Sequence, residues 1–105
     1  MSQFDVYLNP MRSRRDVYPY VTQLQSDLAA VNPREVIVAP LVPVSLLSVR
    51  GAVLLPVVQV AGEEFTVCVP MLGAVPAVKL GARLGDVSDC RWLLLGAVDR
   101  LFTGG

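Results

Sequence analysis

The chain has 105 residues, of which 53% are hydrophobic and 17% charged, and its nine basic residues balance its nine acidic ones. The high hydrophobic fraction excludes intrinsic disorder, and the length predicts a single domain over residues 1–105 with a core of its own. Zero net charge argues against a general nucleic-acid binder, which needs excess positive charge to neutralise phosphates.

The composition also limits the chemistry that the chain can perform. It contains no histidine, which removes the commonest general base, the commonest metal ligand and any Ser-His or Cys-His nucleophile pair. We therefore predict no metal and no cofactor, and we expect that any acid–base chemistry would need arginine, carboxylate or hydroxyl groups. A small, neutral and apolar surface favours binding to other proteins, a second copy of the chain included.

The cytoplasm is the expected compartment, with no membrane association. Residues 1–5 lack the basic and apolar regions of a signal peptide. The longest apolar stretch, 36–49, is too short for a membrane span, and its two prolines would break a helix, so a buried strand plus loop is predicted. Cys68 and Cys90 lie among apolar neighbours and are predicted to be free thiols.

The first half of the chain is predicted to be mostly β-strand. Residues 3–8 alternate, with Phe4, Val6 and Leu8 on one face, which is typical of a half-buried strand. The polar segment 11–16 follows, then an extended stretch over 17–28, a turn over 31–34 and a short strand over 35–39. Residues 40–51 are predicted to be irregular.

The second half contains the clearest hairpin. Residues 53–60 and 65–69 are two β-rich runs, and the four residues 61–64 between them include a glycine. Residues 73–80 form another extended piece, in which Pro76 limits pairing.

The end of the chain is predicted to be a helix over 90–102, with Ser88 as its N-cap. Apolar residues recur at helical spacing from Val87 to Leu101 and define one buried stripe. Trp92, Leu95 and Phe102 widen the apolar surface beyond that stripe, which predicts that the helix is sandwiched or lies at an interface. Gly96 inside the helix indicates either close approach by a neighbour or a tolerated flaw.

The usual catalytic motifs are absent from the sequence. Glu63 and Glu64 are adjacent, so on a strand or turn their carboxylates point apart. The glycines of 81–85 have neither the spacing nor the lysine of a phosphate loop.

The one local charge cluster contains Arg12, Arg14 and Arg15, close to Tyr18 and Tyr20. Arginine with aromatic residues can clamp and stack RNA, and arginine can equally bind an acidic peptide through bidentate carboxylate bonds. A solvated loop with no function is the third interpretation, and the sequence leaves all three open.

The order of several short motifs resembles the CcdB family of bacterial toxins, which poison DNA gyrase and are partnered by CcdA-type antitoxins. The motifs span nearly the whole chain. In order they are Gln3-Phe4-Asp5-Val6-Tyr7, Gln25-Ser26-Asp27-Leu28, Val36–Leu41, Leu55-Pro56-Val57-Val58-Gln59-Val60 with the Gly62-Glu63 turn, Ala74-Val75-Pro76 and Leu84-Gly85-Asp86-Val87-Ser88.

The resemblance implies an SH3-like, partly barrelled antiparallel sheet with a small β wing and one C-terminal helix. It also implies a homodimer that binds the A subunit of DNA gyrase and traps the complex of gyrase with cleaved DNA. A CcdA-like antitoxin would remove the toxin, and the two together would repress their operon, so that operator DNA is contacted only through the antitoxin. A disordered acidic and apolar tail that folds on a neutral, apolar dimer is physically sensible.

The tail departs from the family pattern. Family poisons end in Phe-Trp-Gly-Ile, and the tryptophan anchors the contact with gyrase. The matching residues here are Phe102, Thr103, Gly104 and Gly105, so the tryptophan and the isoleucine are missing. Trp92 cannot replace the anchor, because about three helical turns separate it from the tip.

Three interpretations follow from this departure. The chain is a gyrase poison with weakened or redistributed contacts, or it keeps the dimer and the antitoxin but has changed its target or lost toxicity. The third is an endoribonuclease, as in the MazF-type toxins that share the fold, using residues 12–15.

The resemblance and the charge cluster together assign the remaining contacts. Antitoxin binding is predicted for the loop that carries Leu8, Asn9, Met11, Arg12, Arg14 and Arg15. The dimer interface is predicted to include Trp92, Leu95, Gly96 and Phe102.

Overall fold

A computed structural model describes residues 2–26, 34–49 and 51–104. Their helix and strands, numbered in chain order, are β1 Asp5–Leu8, β2 Tyr20–Gln23, β3 Glu35–Pro43, β4 Val57–Val60, β5 Glu63–Val67, β6 Gly73–Pro76, β7 Gly85–Asp86 and α1 Arg91–Thr103. The predicted turn over 31–34 lies, except for residue 34, outside the described residues.

The strands form one antiparallel sheet that curves into a nearly closed barrel. Their order is β4-β5-β3-β2-β1-β7, and β6 pairs with the first half of β3. The β4–β5 hairpin joins the sheet only through the last three residues of β3, as a small wing. The expected fold, mainly β with one C-terminal helix, is therefore confirmed.

Strand β3 continues through a proline at which the sequence predicted its end. On one edge, β3 pairs with β6 over residues 35–38 and with β5 over residues 41–43. Pro40 lies between these two pairings, and its carbonyl accepts a hydrogen bond from the backbone N–H of Cys68 (2.9 Å). The missing N–H of Pro40 therefore interrupts neither ladder. The irregular stretch predicted from residue 40 begins instead at residue 44.

The β4–β5 turn is tighter than predicted. Ala61 and Gly62 alone form it, with φ of 53° and 81°, and Val60 pairs directly with Glu63. Two successive residues with positive φ are the mark of a two-residue type I′ turn, which matches the twist of a hairpin. Glu63 and Glu64 are therefore the first residues of β5 and not part of the reversal.

Three extended stretches are shorter than predicted. Strand β2 covers only Tyr20–Gln23 of the stretch 17–28, whose last two residues lie outside the described part of the chain. Residues 53–55 form turns before β4, and Ala77–Lys79 form a 3-10 turn after β6. A proline stands at each of the last two changes, Pro56 and Pro76, where pairing would lack a donor.

The sheet is buried on both faces, which corrects the prediction of a half-buried first strand. One core lies between the sheet and α1 and includes Phe4, Val6 and Leu94. A second, smaller core lies on the opposite face and includes Tyr7 and Val38. Both faces of β1 therefore pack, whereas its last residue, Leu8, is exposed.

Helix α1 presents the predicted apolar stripe to the main core. Leu94 and Ala97 are fully buried, and Cys90, Val98 and Leu101 are half-buried against the same cluster. The helix ends at Gly104, which adopts the left-handed conformation (φ 68°) and donates its N–H to the carbonyl of Arg100 (2.9 Å).

The start of α1 differs from the prediction, because Ser88 is not the N-cap. A 3-10 turn over Ser88–Cys90 precedes the helix, and Cys90 occupies the cap position without a side-chain hydrogen bond. The capping-type acceptor lies two residues before Ser88: Oδ1 of Asp86 accepts the backbone N–H of Ser88 (3.1 Å) and also its hydroxyl. The prediction of Ser88 as N-cap is therefore wrong, because Ser88 is the donor to Asp86 in this turn.

Candidate functional site

Asn9 organises the loop that was predicted to bind the antitoxin. Its side chain is almost completely buried (5% exposed). Its Nδ2 donates to the carbonyl of Tyr18 (2.9 Å), and its Oδ1 accepts the backbone N–H of Met11 (2.9 Å). Its own carbonyl accepts Nε of Arg15 (2.6 Å). One buried amide therefore fixes both ends of the loop, and Arg15 serves the loop itself.

The other arginines of the loop face outward. Arg12 and Arg14 lie in a 3-10 turn and are exposed. Arg14 and Met11 line a cleft of about 230 Å³ with Tyr18 and Met71, over a floor that includes Val21. We call this the Arg14 cleft. Apolar walls and one basic side chain are suited to an acidic and apolar segment of a partner. Tyr20, also expected near the arginines, instead packs its ring edge-on against Phe65 in the main core.

The tip of α1 carries an exposed aromatic side chain. Phe102 is 71% exposed. The hydroxyl of Thr103 donates to the carbonyl of Asp99 (2.8 Å), so this side chain is turned back onto the helix. Gly104 ends the helix directly after it. Gly105, the last predicted contact residue, lies outside the described residues. The tip therefore presents one aromatic anchor, Phe102.

The outer face of α1 carries the residues predicted for the dimer interface. At about 100° per residue, those four positions fall within an arc of about 120° on the side away from the buried stripe. Trp92 (79% exposed), Gly96 and Phe102 are open to solvent. Leu95 is only half-buried and packs against the main core. A Cβ built at Gly96 has no atom within 4 Å, so close approach within the chain does not explain this glycine.

An ion-pair network holds the start of the helix segment against β1. Nε of Arg83 binds Oδ1 of the buried Asp5 (2.8 Å), and its Nη2 binds Oδ2 of Asp86 (2.7 Å). The hydrogen bond from Arg83 to Asp5, and then their charge attraction, raise the pKa of Arg83. Hydrogen bonds from the hydroxyl and the N–H of Ser88 lower the pKa of Asp86. This network was not predicted from the sequence. The feature that could have indicated it is Asp5, a charged residue inside an apolar strand.

The described residues offer no catalytic constellation. No group of three cysteine or acidic side chains among them is placed to hold a metal ion. Cys68 and Cys90 are free, as predicted, and burial raises the pKa of both thiols. A raised pKa keeps a thiol protonated and unreactive. Within the described ranges, no helix is long and apolar enough to cross a membrane.

Comparison with protein-family models matches residues 3–104 to the CcdB protein family. The chain belongs to the CcdB family. The match covers both candidate surfaces, the Asn9 loop and the helix tip, and it confirms the resemblance read from the short motifs. No curated protein matches the chain significantly.

Membership of the CcdB family makes this chain a toxin-type protein of a toxin–antitoxin system. The family is in general non-enzymatic and implies an antitoxin and gyrase as partners. This agrees with a molecule whose notable features are exposed side chains and clefts.

Proposed function

We propose that this chain is the toxin of a type II toxin–antitoxin pair, which binds the A subunit of DNA gyrase and traps the complex of gyrase with cleaved DNA. The observation that carries the proposal is the exposed Phe102 at the glycine-terminated tip of α1. Phe102 and Gly104 stand where the family's Phe-Trp-Gly-Ile tail contacts gyrase. Action by contact alone agrees with a chain that lacks histidine.

The tail also favours a second candidate, in which the target has changed or toxicity is lost. Thr103 stands in place of the anchoring tryptophan, and its hydroxyl is bound to the helix backbone. Loss of an aromatic hot spot weakens binding by about 2–4 kcal/mol, which is roughly 30- to 1,000-fold in affinity. A contact that rests on Phe102 is expected to be weaker than the family norm by such a factor.

The test is expression of the chain with and without its antitoxin, followed by assays on purified gyrase and on RNA. Stabilised gyrase–DNA cleavage complexes support the proposal. An unchanged cleavage pattern supports the second candidate and contradicts the first. Degraded RNA contradicts both and supports the endoribonuclease interpretation of residues 12–15.

A gain-of-function variant sharpens the test of the tail. Thr103→Trp combined with Gly105→Ile restores the family ending on a helix that already stops at Gly104. We expect gyrase binding to strengthen by roughly 30-fold or more. Trp92→Phe is the background for both forms, so that any fluorescence change reports the new tryptophan. Unchanged binding shows that the tail does not determine affinity.

The Asn9 loop is proposed to bind the CcdA-like antitoxin through Leu8, Met11, Arg12 and Arg14, in a shape that Asn9 and Arg15 hold. The exposed guanidinium at the rim of the apolar Arg14 cleft supports an acidic and apolar tail as the ligand. Arg14→Gln is expected to weaken antitoxin binding about threefold or more and to reduce its salt dependence. Arg91→Gln removes another exposed charge, outside the loop, and is the matched control. Equal effects of the two changes contradict a local role for the cleft.

A homodimer, and repression of the operon together with the antitoxin, complete the proposal. The high share of hydrophobic residues in so small a chain supports self-association. The balanced net charge supports contact with operator DNA through the antitoxin only. Sedimentation of the purified chain is expected to give a dimer, and a monomer at micromolar concentration contradicts it.

A further inference from the structure

A long apolar groove runs beside the first half of α1. Its volume is about 890 Å³. Its walls are the outer side of the helix and residues from 44–49 and 51–57, with apolar side chains that include Val44, Val49, Val53, Leu55, Trp92 and Leu93. We call it the Trp92 groove. Trp92 and Leu93 are 79% and 59% exposed, so neither side chain owes its place to the core. Exposed apolar side chains gathered around a concave surface can pack against a segment of another molecule.

One end of the groove is acidic. Glu64 lines the Trp92 groove and also an adjoining cleft of about 310 Å³, whose walls include Asp86 and Asp89. Asp86 is bound to Arg83, whereas Glu64 and Asp89 have no basic partner among residues 2–26, 34–49 and 51–104. No lysine or arginine of these ranges lines either cavity. Among the described residues, the groove therefore offers apolar walls that lead to two carboxylates without a basic partner.

We propose that the Trp92 groove binds a partner-protein segment in which apolar anchor residues stand next to lysine or arginine. Apolar side chains fill the trough, and a cation reaches Glu64 and Asp89 at its end. An acidic tail is disfavoured, because it would meet like charges.

The charge of this groove is opposite to that of the Arg14 cleft. The Arg14 cleft lies over Val21 and Val38, whose side chains belong to the smaller core, whereas the Trp92 groove lies beside the helix on the other face of the sheet. One molecule thus offers an acidic ligand one surface and a basic ligand another. Trp92 and Gly96, predicted for the dimer interface, are reassigned by this proposal to a different occupant.

The chain provides its own probe for the test, since Trp92 is its only tryptophan. A segment that covers the groove shifts the emission of Trp92 to shorter wavelength and protects it from acrylamide quenching. The probes are three short synthetic peptides in which leucine pairs alternate with lysine, glutamate or glutamine. At moderate salt we expect the lysine peptide to bind about tenfold more tightly than the glutamate peptide, with glutamine between them.

Two variants locate the binding. Glu64→Gln is expected to weaken the lysine peptide about threefold, whereas Glu63→Gln, on the same strand but not lining the groove, changes it little. Gly96→Lys places a long basic side chain in open space on the groove wall and improves helix propensity. It is expected to weaken the lysine peptide and to strengthen the glutamate peptide, so that the difference between them narrows; stronger binding of the glutamate peptide is a result that misfolding cannot produce.

Three results overturn the proposal. They are equal binding of the three peptides, binding that leaves the emission of Trp92 unchanged, and a blue shift that appears on concentrating the chain alone. The last result assigns the groove to a second copy.

Discussion

The two sides of helix α1 carry similar apolar residues but have different roles. On the inner side Leu94 is fully buried in the main core, whereas on the outer side Leu93, its neighbour in sequence, is 59% exposed. The inner side follows the spacing that packs a helix on a sheet. The outer side exposes an aromatic residue near each end of the helix, where the fold gains nothing from it. Apolar character is thus used for folding on one side and is available for partners on the other.

Leu94→Ala gives the largest expected effect on this comparison. Its removal leaves a cavity between α1 and the sheet, and we expect the free energy of unfolding to fall by about 2–5 kcal/mol. Leu93→Ala is the matched control and is expected to change stability by less than about 0.5 kcal/mol. Urea denaturation of both variants decides the point. Equal losses mean that the two sides do not differ as described.

Asn9→Ala tests whether the Asn9 loop already has its binding shape before the antitoxin binds. The change leaves the carbonyl of Tyr18 and the N–H of Met11 without their partner, at an expected cost of about 1–3 kcal/mol. Antitoxin binding is expected to weaken as well, because the loop loses its fixed shape. Ser13→Ala, an exposed position in the same loop, is the control. Full antitoxin affinity in Asn9→Ala shows that the antitoxin orders the loop itself.

Ala61→Gly changes a region that belongs to neither surface. Ala61 has a φ of 53°, a conformation that costs a residue with a Cβ about 1 kcal/mol. Glycine relieves this strain but is more flexible when unfolded, so we expect a net gain of about 0.5 kcal/mol. Thermal unfolding measures the gain, and gyrase and antitoxin binding stay constant. A lower melting temperature contradicts the assignment of the turn.

The smallest effect is the pH dependence that comes from Asp86. Its pKa is lowered in the folded chain from the ordinary value of 3.8, first by the hydroxyl of Ser88 and then by its N–H. A lowered folded pKa means that the carboxylate stabilises the fold above pH 3.8 and that this contribution is lost as the pH falls through the folded value. Asp86→Asn is expected to flatten this part of the stability profile. If the free energy of unfolding changes with pH just as steeply in Asp86→Asn, then Asp86 is not the source of this pH dependence.

The parts of the fold that could be predicted depend on local pattern. The helix followed from the spacing of Leu94, Ala97 and Leu101. The hairpin followed from two β-rich runs around a glycine. In each case residues that are close in sequence determine the secondary structure.

The parts that could not be predicted depend on which distant segments meet. Pro40 reads as a strand end until β5 and β6 are seen to pair on either side of it. Burial of both faces of β1 depends on a second core, which the alternation of its residues does not reveal. The Trp92 groove needs residues 44–49 and 51–57 beside the helix, and the sequence pattern predicts strand for part of the second range.

Binding of the purified chain to the A subunit of DNA gyrase, compared with that of Phe102→Ala, tests the central claim most directly. The account predicts measurable binding by the natural chain and a loss of roughly 30-fold or more in the variant, with the free energy of unfolding unchanged. Equal binding by both proteins, or no binding by the natural chain, contradicts a function that rests on the helix tip.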